Sequence, residues 1–367
     1  MTVKYTMSDS GFSHTFPAVR GIQAGRPCYI AMCPMRIIPK LFKFDEDEVP
    51  AELRAQRTIN KGRVPEISSY LVNNSSNYTL SSLTASVDAM VNFEPMSDTG
   101  HGQNIGTLSI PMDAQILIND GQHRRAAIES AIKENPELAY DNISVLFFID
   151  EGLSRSQQMF ADLNKHAVRP SDSISTLYDL RDDISELARH VQKHVHTFSR
   201  LTEMEKSSIS NRSIKLFTLS GIKNASKALL HKGTKDSVSK EEKDLAVLFW
   251  NEVASNMQDW QSALNKKVNS SELRQHYVHS HAVMLQAMGQ IGHDLINSDK
   301  NWKKRLIKLN SIDWARANKN WNGRALVHGH ISKARTNVLL TGNYIKQHLN
   351  IPLNPIEEEA EKAFNHE

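Results

Sequence analysis

Apolar positions change period midway along the chain. Up to about residue 150 they come in short runs, at 19–23, 28–32, 105–110 and 116–118, each close to turn residues, and this texture predicts strands. The densest run, 143–149, reads as a buried strand and is far shorter than the roughly 18 residues of a membrane-crossing helix. Between these runs, helical patterns cover 51–60, 64–73 and 122–134. The first two are interrupted by Gly62 and Pro65; the third carries Ala126, Ala127, Ile128, Ala131 and Ile132 and ends at Pro136. Beyond Asp150 strand patterns largely vanish. Helices are expected over 154–165, with Ser154 as N-cap, and over 174–198, 240–264 and 271–296, with polar loops near 207–212 and 232–239. The acidic end, 356–367, reads as a frayed helix or tail. The expectation is an α+β protein: an α/β domain over 1–170 and a mainly helical domain over 171–367.

Composition agrees with a globular chain. The 367 residues are 40% hydrophobic and 23% charged, enough for a sizeable core and outside the disordered and collagen-like classes. Cys28 and Cys33 are the only cysteines, so neither a disulfide framework nor a four-thiolate zinc site can be built. Residues 1–16 mix Lys4, Asp9 and His14 with serines and lack the apolar stretch of a secretory signal, so a cytoplasmic location is expected, with no membrane partner.

The segment from Gln115 to Ile128 combines an apolar strand, a glycine turn and a helix opening. Asp120, Gly121, Gln122, His123 and Arg124 stand where free backbone N–H groups give partial positive charge, and glycine permits close approach of a ligand. Cations at a helix start oppose the dipole, a local conflict that an anionic ligand would resolve. The competing reading makes Asp120 a helix cap with the arginines reaching solvent.

Asp120-Gly121-Gln122-His123-Arg124 spells the signature of DGQHR-domain proteins, and the likeness extends to 160–165 (FADLNK) and 321–324 (WNGR). With the chain length, the sequence resembles the DndB family of DNA sulfur modification. DGQHR domains are similar to the ParB and sulfiredoxin superfamily, so the resemblance implies a ParB-like N-terminal domain with a nucleotide or phosphate site at Asp120, Gly121, Gln122, His123, Arg124, Asn164, Lys165 and Arg324. Against the ParB pattern this chain keeps Gly121, Arg124 and Ala127 but lacks one phosphate-binding arginine. Against the sulfiredoxin pattern, Gln122 replaces the reactive cysteine, which excludes reductase chemistry. The resemblance implies a repressor that binds promoter DNA of the modification genes.

Whole-chain net charge is only +3, from 44 Lys and Arg against 41 Asp and Glu, but its distribution is uneven. Over 300–346, Lys300, Lys303, Lys304, Arg305, Lys308, Arg316, Lys319, Arg324, Lys333, Arg335 and Lys346 face the single acid Asp313. Lysine and arginine neutralise phosphates, so this stretch, apart from Lys346, is the candidate DNA surface. A solvated helical face is the competing reading. The spacing of Trp302, Trp314 and Trp321 fits core packing at least as well as base stacking.

Weaker signals remain. Asp162, Asn164, Lys165, His166 and Arg169 can hold a phosphate or simply complement the end of a helix. His190, His194, His196, His276, His279 and His281 are read as surface or core residues, with no metal assigned. The cluster Asp45, Glu46, Asp47, Glu48 suits the start of a helix. The sequence leaves two functions standing. The first is a DNA-binding repressor, with double-stranded DNA, modification proteins and a second copy of itself as partners. The alternative is an NTPase or nucleotide switch using a nucleoside triphosphate with Mg²⁺, for which Asp120, His123 and Arg124 are the catalytic candidates. A third occupant of the Gly121 turn is a DNA backbone phosphate or its sulfur analogue.

Overall fold

The computed structural model describes residues 12–42, 62–153, 155–165 and 170–366. The chain divides into two compact units, 1–168 and 169–367. The expected helix at 51–60, the acidic cluster Asp45 to Glu48, the cap Ser154, and His166 and Arg169 lie outside the described residues.

The first unit is built on a seven-stranded mixed sheet in the order β4-β5-β1-β2-β7-β3-β6. Its strands are β1 (Ser13–Gln23), β2 (Arg26–Pro34), β3 (Leu83–Asp88), β4 (Asn92–Pro95), β5 (Ile105–Pro111), β6 (Gln115–Asp120) and β7 (Asn142–Ile149). A two-residue turn at Ala24 and Gly25 joins β1 to β2, with Gln23 opposite Arg26. The pair β3 and β7 is parallel, Ala85 opposite Phe147, and the other pairs are antiparallel. Helices α1 (Ile38–Leu41), α2 (Arg63–Asn73), α3 (Gln122–Glu134) and α4 (Ser156–Lys165) accompany the sheet. Phe16, Leu83, Val87, Leu108, Ile128, Val145 and Phe147 form its core.

Strands β3 and β4 carry no clear sequence signal. In β3, Thr84 and Ser86 are buried together with Leu83, Ala85 and Val87, so the alternation of a one-sided strand is missing. The hydroxyl of Ser86 accepts from Asn119 Nδ2 at 2.7 Å, and Asn119 Oδ1 accepts from the Ser156 hydroxyl at 2.7 Å. That closed polar network lets small polar residues sit in the core beside β6.

The second unit is helical: α5 (Asp172–Tyr178), α6 (Asp183–His194), α7 (His196–Leu201), α8 (Leu219–Leu229), α9 (Lys240–Ser255), α10 (Gln258–Leu264), α11 (Ser270–His276), α12 (Ala282–Ser298), α13 (Trp302–Leu306), α14 (Arg335–His348) and α15 (Pro355–His366). Two short strand pairs, β8 (Thr202–Glu203) with β9 (Phe217–Thr218) and β10 (Leu326–Val327) with β11 (His330–Ile331), complete it. Trp250, Trp260, Trp321, Phe198 and Phe217 are fully buried at its centre.

The long helices expected at 174–198, 240–264 and 271–296 are each broken. Asp182 caps α6 by accepting from the amides of Ile184 and Ser185, which ends the preceding segment at Tyr178. Tyr277 leaves the helical path to bridge Ala315, so α11 and α12 are separate. The acidic end is a docked helix rather than a frayed tail. Asn354 and Glu357 cap each other at its start, and Glu357 and Glu361 are buried against cations of the basic stretch.

Candidate functional site

At the end of β6, Gly121 adopts φ +106° and serves as N-cap of α3, whose first turn has neither a side-chain cap nor an acid. A Cβ at this position would lie 2.4 Å from Leu83 Cδ2, so both backbone conformation and space call for glycine. Asp120 does not cap the helix. Its carboxylate lies 2.5 Å from Arg124 Nη2 instead, across the glycine. Arg124 Nη1 donates to the carbonyls of Ser81 and Ser82, each at 2.9 Å, and to the Ser81 hydroxyl.

Asp120 and Arg124 thus clasp the turn to the strand entering β3, and Arg124 arrives at the site with its charge already matched. Arg125 is likewise held, by Glu129 at 2.8 Å and the Pro39 carbonyl at 3.0 Å. Gln122 and His123 are half-buried beside the helix start. Burial, then the charge of Arg63, push the His123 pKa below its ordinary value, with Asp120 pulling the other way. Arg63, on α2, is a cation at this end that the motif did not point to. Asn164 and Lys165 are the last residues of α4.

In the second unit the basic stretch separates into two sets. Arg324 is 6% exposed, donates through both Nη atoms to Glu361 and gives one further bond to the Leu340 carbonyl at 2.8 Å. Its guanidinium stacks 4.5 Å from the ring centre of Phe364. A Cβ at Gly323, where φ is +73°, would lie 2.5 Å from that same ring, so the Gly323-Arg324 pair is shaped to receive α15. Arg324, expected at a phosphate or on DNA, thus has its charge matched by a buried carboxylate of the same unit. Lys346 is buried between Asp294 at 2.5 Å and Glu357 at 2.6 Å. Lys303 pairs with Glu252 at 3.1 Å and Arg305 with Asp299 at 3.0 Å. Arg316 is half-buried, donating to the Arg274 carbonyl and to His281, each at 2.8 Å.

The other set is Lys300, Lys304, Lys308, Lys319, Lys333 and Arg335. Lys308 is half-exposed and the rest are exposed, and none makes an ion pair with any described residue. Trp302, Trp314 and Trp321 are buried, pinning the segment to the core while its lysines face outward. Sequence reasoning missed a second group of cations, Arg200, Lys215, Lys266 and Lys267, around a cavity of about 1040 Å³. They are dispersed over 68 positions of the chain, so no local run marks them. Among the described residues no His, Cys, Asp or Glu cluster is suited to a metal, and no helix is long and apolar enough to cross a membrane.

The chain combines an α+β fold, a glycine-turn motif in one unit and, in the other, a segregated set of cations without ion pairs among the described residues. A family model narrows this: DndB, described as DNA-sulfur modification-associated, matches residues 16–352. The chain belongs to the DndB family and so to the proteins associated with DNA phosphorothioate modification. No curated protein and no solved structure gives a significant match.

Proposed function

We propose that this protein is a DNA-binding regulator, a repressor that occupies promoter DNA of the phosphorothioate modification genes, working in the cytoplasm and as a pair of copies on a two-fold site. The observation that carries the reading is the set Lys300, Lys304, Lys308, Lys319, Lys333 and Arg335, cations without carboxylate partners among the described residues, in a segment anchored by buried tryptophans. A folded chain gains nothing internally from such charges. Phosphates of a duplex gain from them through counterion release.

The ParB-like character of the first unit enters as part of the same proposal, with the Gly121 turn as a rigid structural corner. The nucleotide-switch alternative draws less support, because Arg124 would have to give up Asp120 and the Ser81 and Ser82 carbonyls to grip a phosphate. Fluorescence anisotropy on labelled promoter duplex tests the proposal. Reversing Lys300, Lys304 and Lys308 to glutamate together weakens binding by more than tenfold on this reading, about 1.4 kcal/mol or more. Unchanged affinity removes the surface.

A further inference from the structure

The helical unit contains a cavity of about 440 Å³. Its wall includes Arg274, Arg316, Lys333, His281, Ser280 and the start of α8 at Gly221, and no lining residue is acidic. Arg274 spends its guanidinium on backbone carbonyls, those of Ser210 at 2.8 Å, Ser213 at 3.1 Å, Asn211 at 3.4 Å and Lys215. Those bonds shape the loop at the cavity but leave the positive charge unmatched.

Arg316 is in the same position. Its Nη2 donates to a carbonyl and an imidazole, and its buried Nε has no partner among the described residues. Burial lowers the pKa of both guanidinium groups, and no carboxylate pulls either back. Ser280 is 4% exposed and its hydroxyl also lacks a partner among the described residues. Helix α12 begins at this wall with no side-chain cap and no acid in its first turn. Lys333 stands exposed at the same cavity, with no ion pair among the described residues.

We propose that this cavity is a binding site for a phosphate-class oxyanion, carried on a ligand of about mononucleotide size. A buried and a half-buried guanidinium group without a counter-ion among the described residues are costly to hold, and an anion converts that cost into affinity. Donors converge from Arg316, a hydroxyl and a helix start, with Arg274 adding its charge, an arrangement that suits a tetrahedral oxyanion better than a planar carboxylate. The volume lies within the roughly 300–1,000 Å³ of small-molecule pockets and exceeds what a bare ion needs. The same phosphate chemistry is offered by a free nucleotide and by the backbone of DNA; the site shares Lys333 with the DNA surface proposed above and is otherwise built from other residues.

Titration calorimetry of the full chain with inorganic phosphate and with AMP, beside anisotropy with a duplex, separates these sources. AMP is expected to bind, with affinity falling about tenfold or more in Arg316→Gln and in the exposed Lys333→Glu, and staying unchanged in Arg124→Ala of the first unit. If AMP and phosphate bind nowhere but Arg316→Gln and Ser280→Asp weaken the duplex about tenfold, the oxyanion is a DNA phosphate and the site stands with that occupant. Binding of every probe that is indifferent to Arg316→Gln, Ser280→Asp and Lys333→Glu overturns the proposal, as does an absence of binding to all three probes. Because Lys333→Glu alters an exposed side chain, the AMP arm remains decisive even if a buried substitution unfolds the unit. It also remains decisive if the Lys300, Lys304 and Lys308 variant leaves DNA binding intact.

Discussion

Asp120 and Arg124 face each other at 2.5 Å across Gly121, and the arginine extends on to the carbonyls of Ser81 and Ser82. The pentapeptide that most marks this chain is thus partly its own counter-ion system. Arg124→Ala removes several charge-assisted bonds at once and is expected to cost about 2 kcal/mol, read from urea denaturation. Gly121→Ala is expected to cost at least about 1 kcal/mol through its backbone conformation alone, with Leu83→Ala relieving only the steric part of the loss.

Arg324 and Glu361 make a buried bidentate pair, so Glu361→Ala leaves a buried guanidinium unmatched. The expected loss is about 3–5 kcal/mol. Burial pushes the Glu361 carboxyl upward, but Arg324 and Asn343 together outweigh it and hold the group below its ordinary 4.5. A depressed folded pKa contributes stability that is present above 4.5 and lost as pH falls through the folded value. Unfolding free energy should therefore drop below pH 4.5, less steeply in Glu361→Gln.

Two histidines set a second pH window. Trp260 Nε1 donates to His279 Nδ1 at 3.0 Å, which leaves the imidazole proton on Nε2, facing Asp259 at 3.0 Å. Protonating His279 breaks the tryptophan bond, and burial lowers its pKa despite Asp259. Burial, with Arg316, His279 and Arg274 nearby, brings His281 down to about 4. Both groups bind protons more readily when unfolded, so stability is full above 6.5 and declines as pH falls. From His281 alone the loss by pH 5 is about 2 kcal/mol, and His281→Gln should remove that share from denaturation curves recorded at pH 7 and 5.

Cys33 is fully buried, and burial pushes its thiol pKa up to about 12. It should be unreactive toward a thiol reagent at pH 8 in the native protein and react fully in denaturant. Rapid native labelling at Cys33 would contradict its place in the sheet core.

The α+β character and the ends of α3 were legible because hydrophobic period, Gly121 and Pro136 all point the same way. Strand β3 was not, since Thr84 and Ser86 are polar in sequence and buried in fact, and the partner of Ser86, Asn119, lies more than 30 residues away. The charge of the basic stretch was readable, but which cations were already matched was not. Arg324 and Lys346 meet Glu361, Glu357 and Asp294 only through tertiary packing, and the same packing turns an acidic end into a docked helix. The cavity at Arg274 and Arg316 joins residues from distant segments, which no local spacing foretells.

The central claim is that the unpaired cations meet the phosphates of DNA. The logarithm of promoter affinity against the logarithm of salt concentration measures how many do so. Engagement of Lys300, Lys304, Lys308, Lys319, Lys333 and Arg335 predicts a slope of about −5 for each bound copy, falling to about −3 or shallower per copy when Lys300, Lys304 and Lys308 become glutamate. A slope near zero, or one that the triple substitution leaves unchanged, would contradict the account.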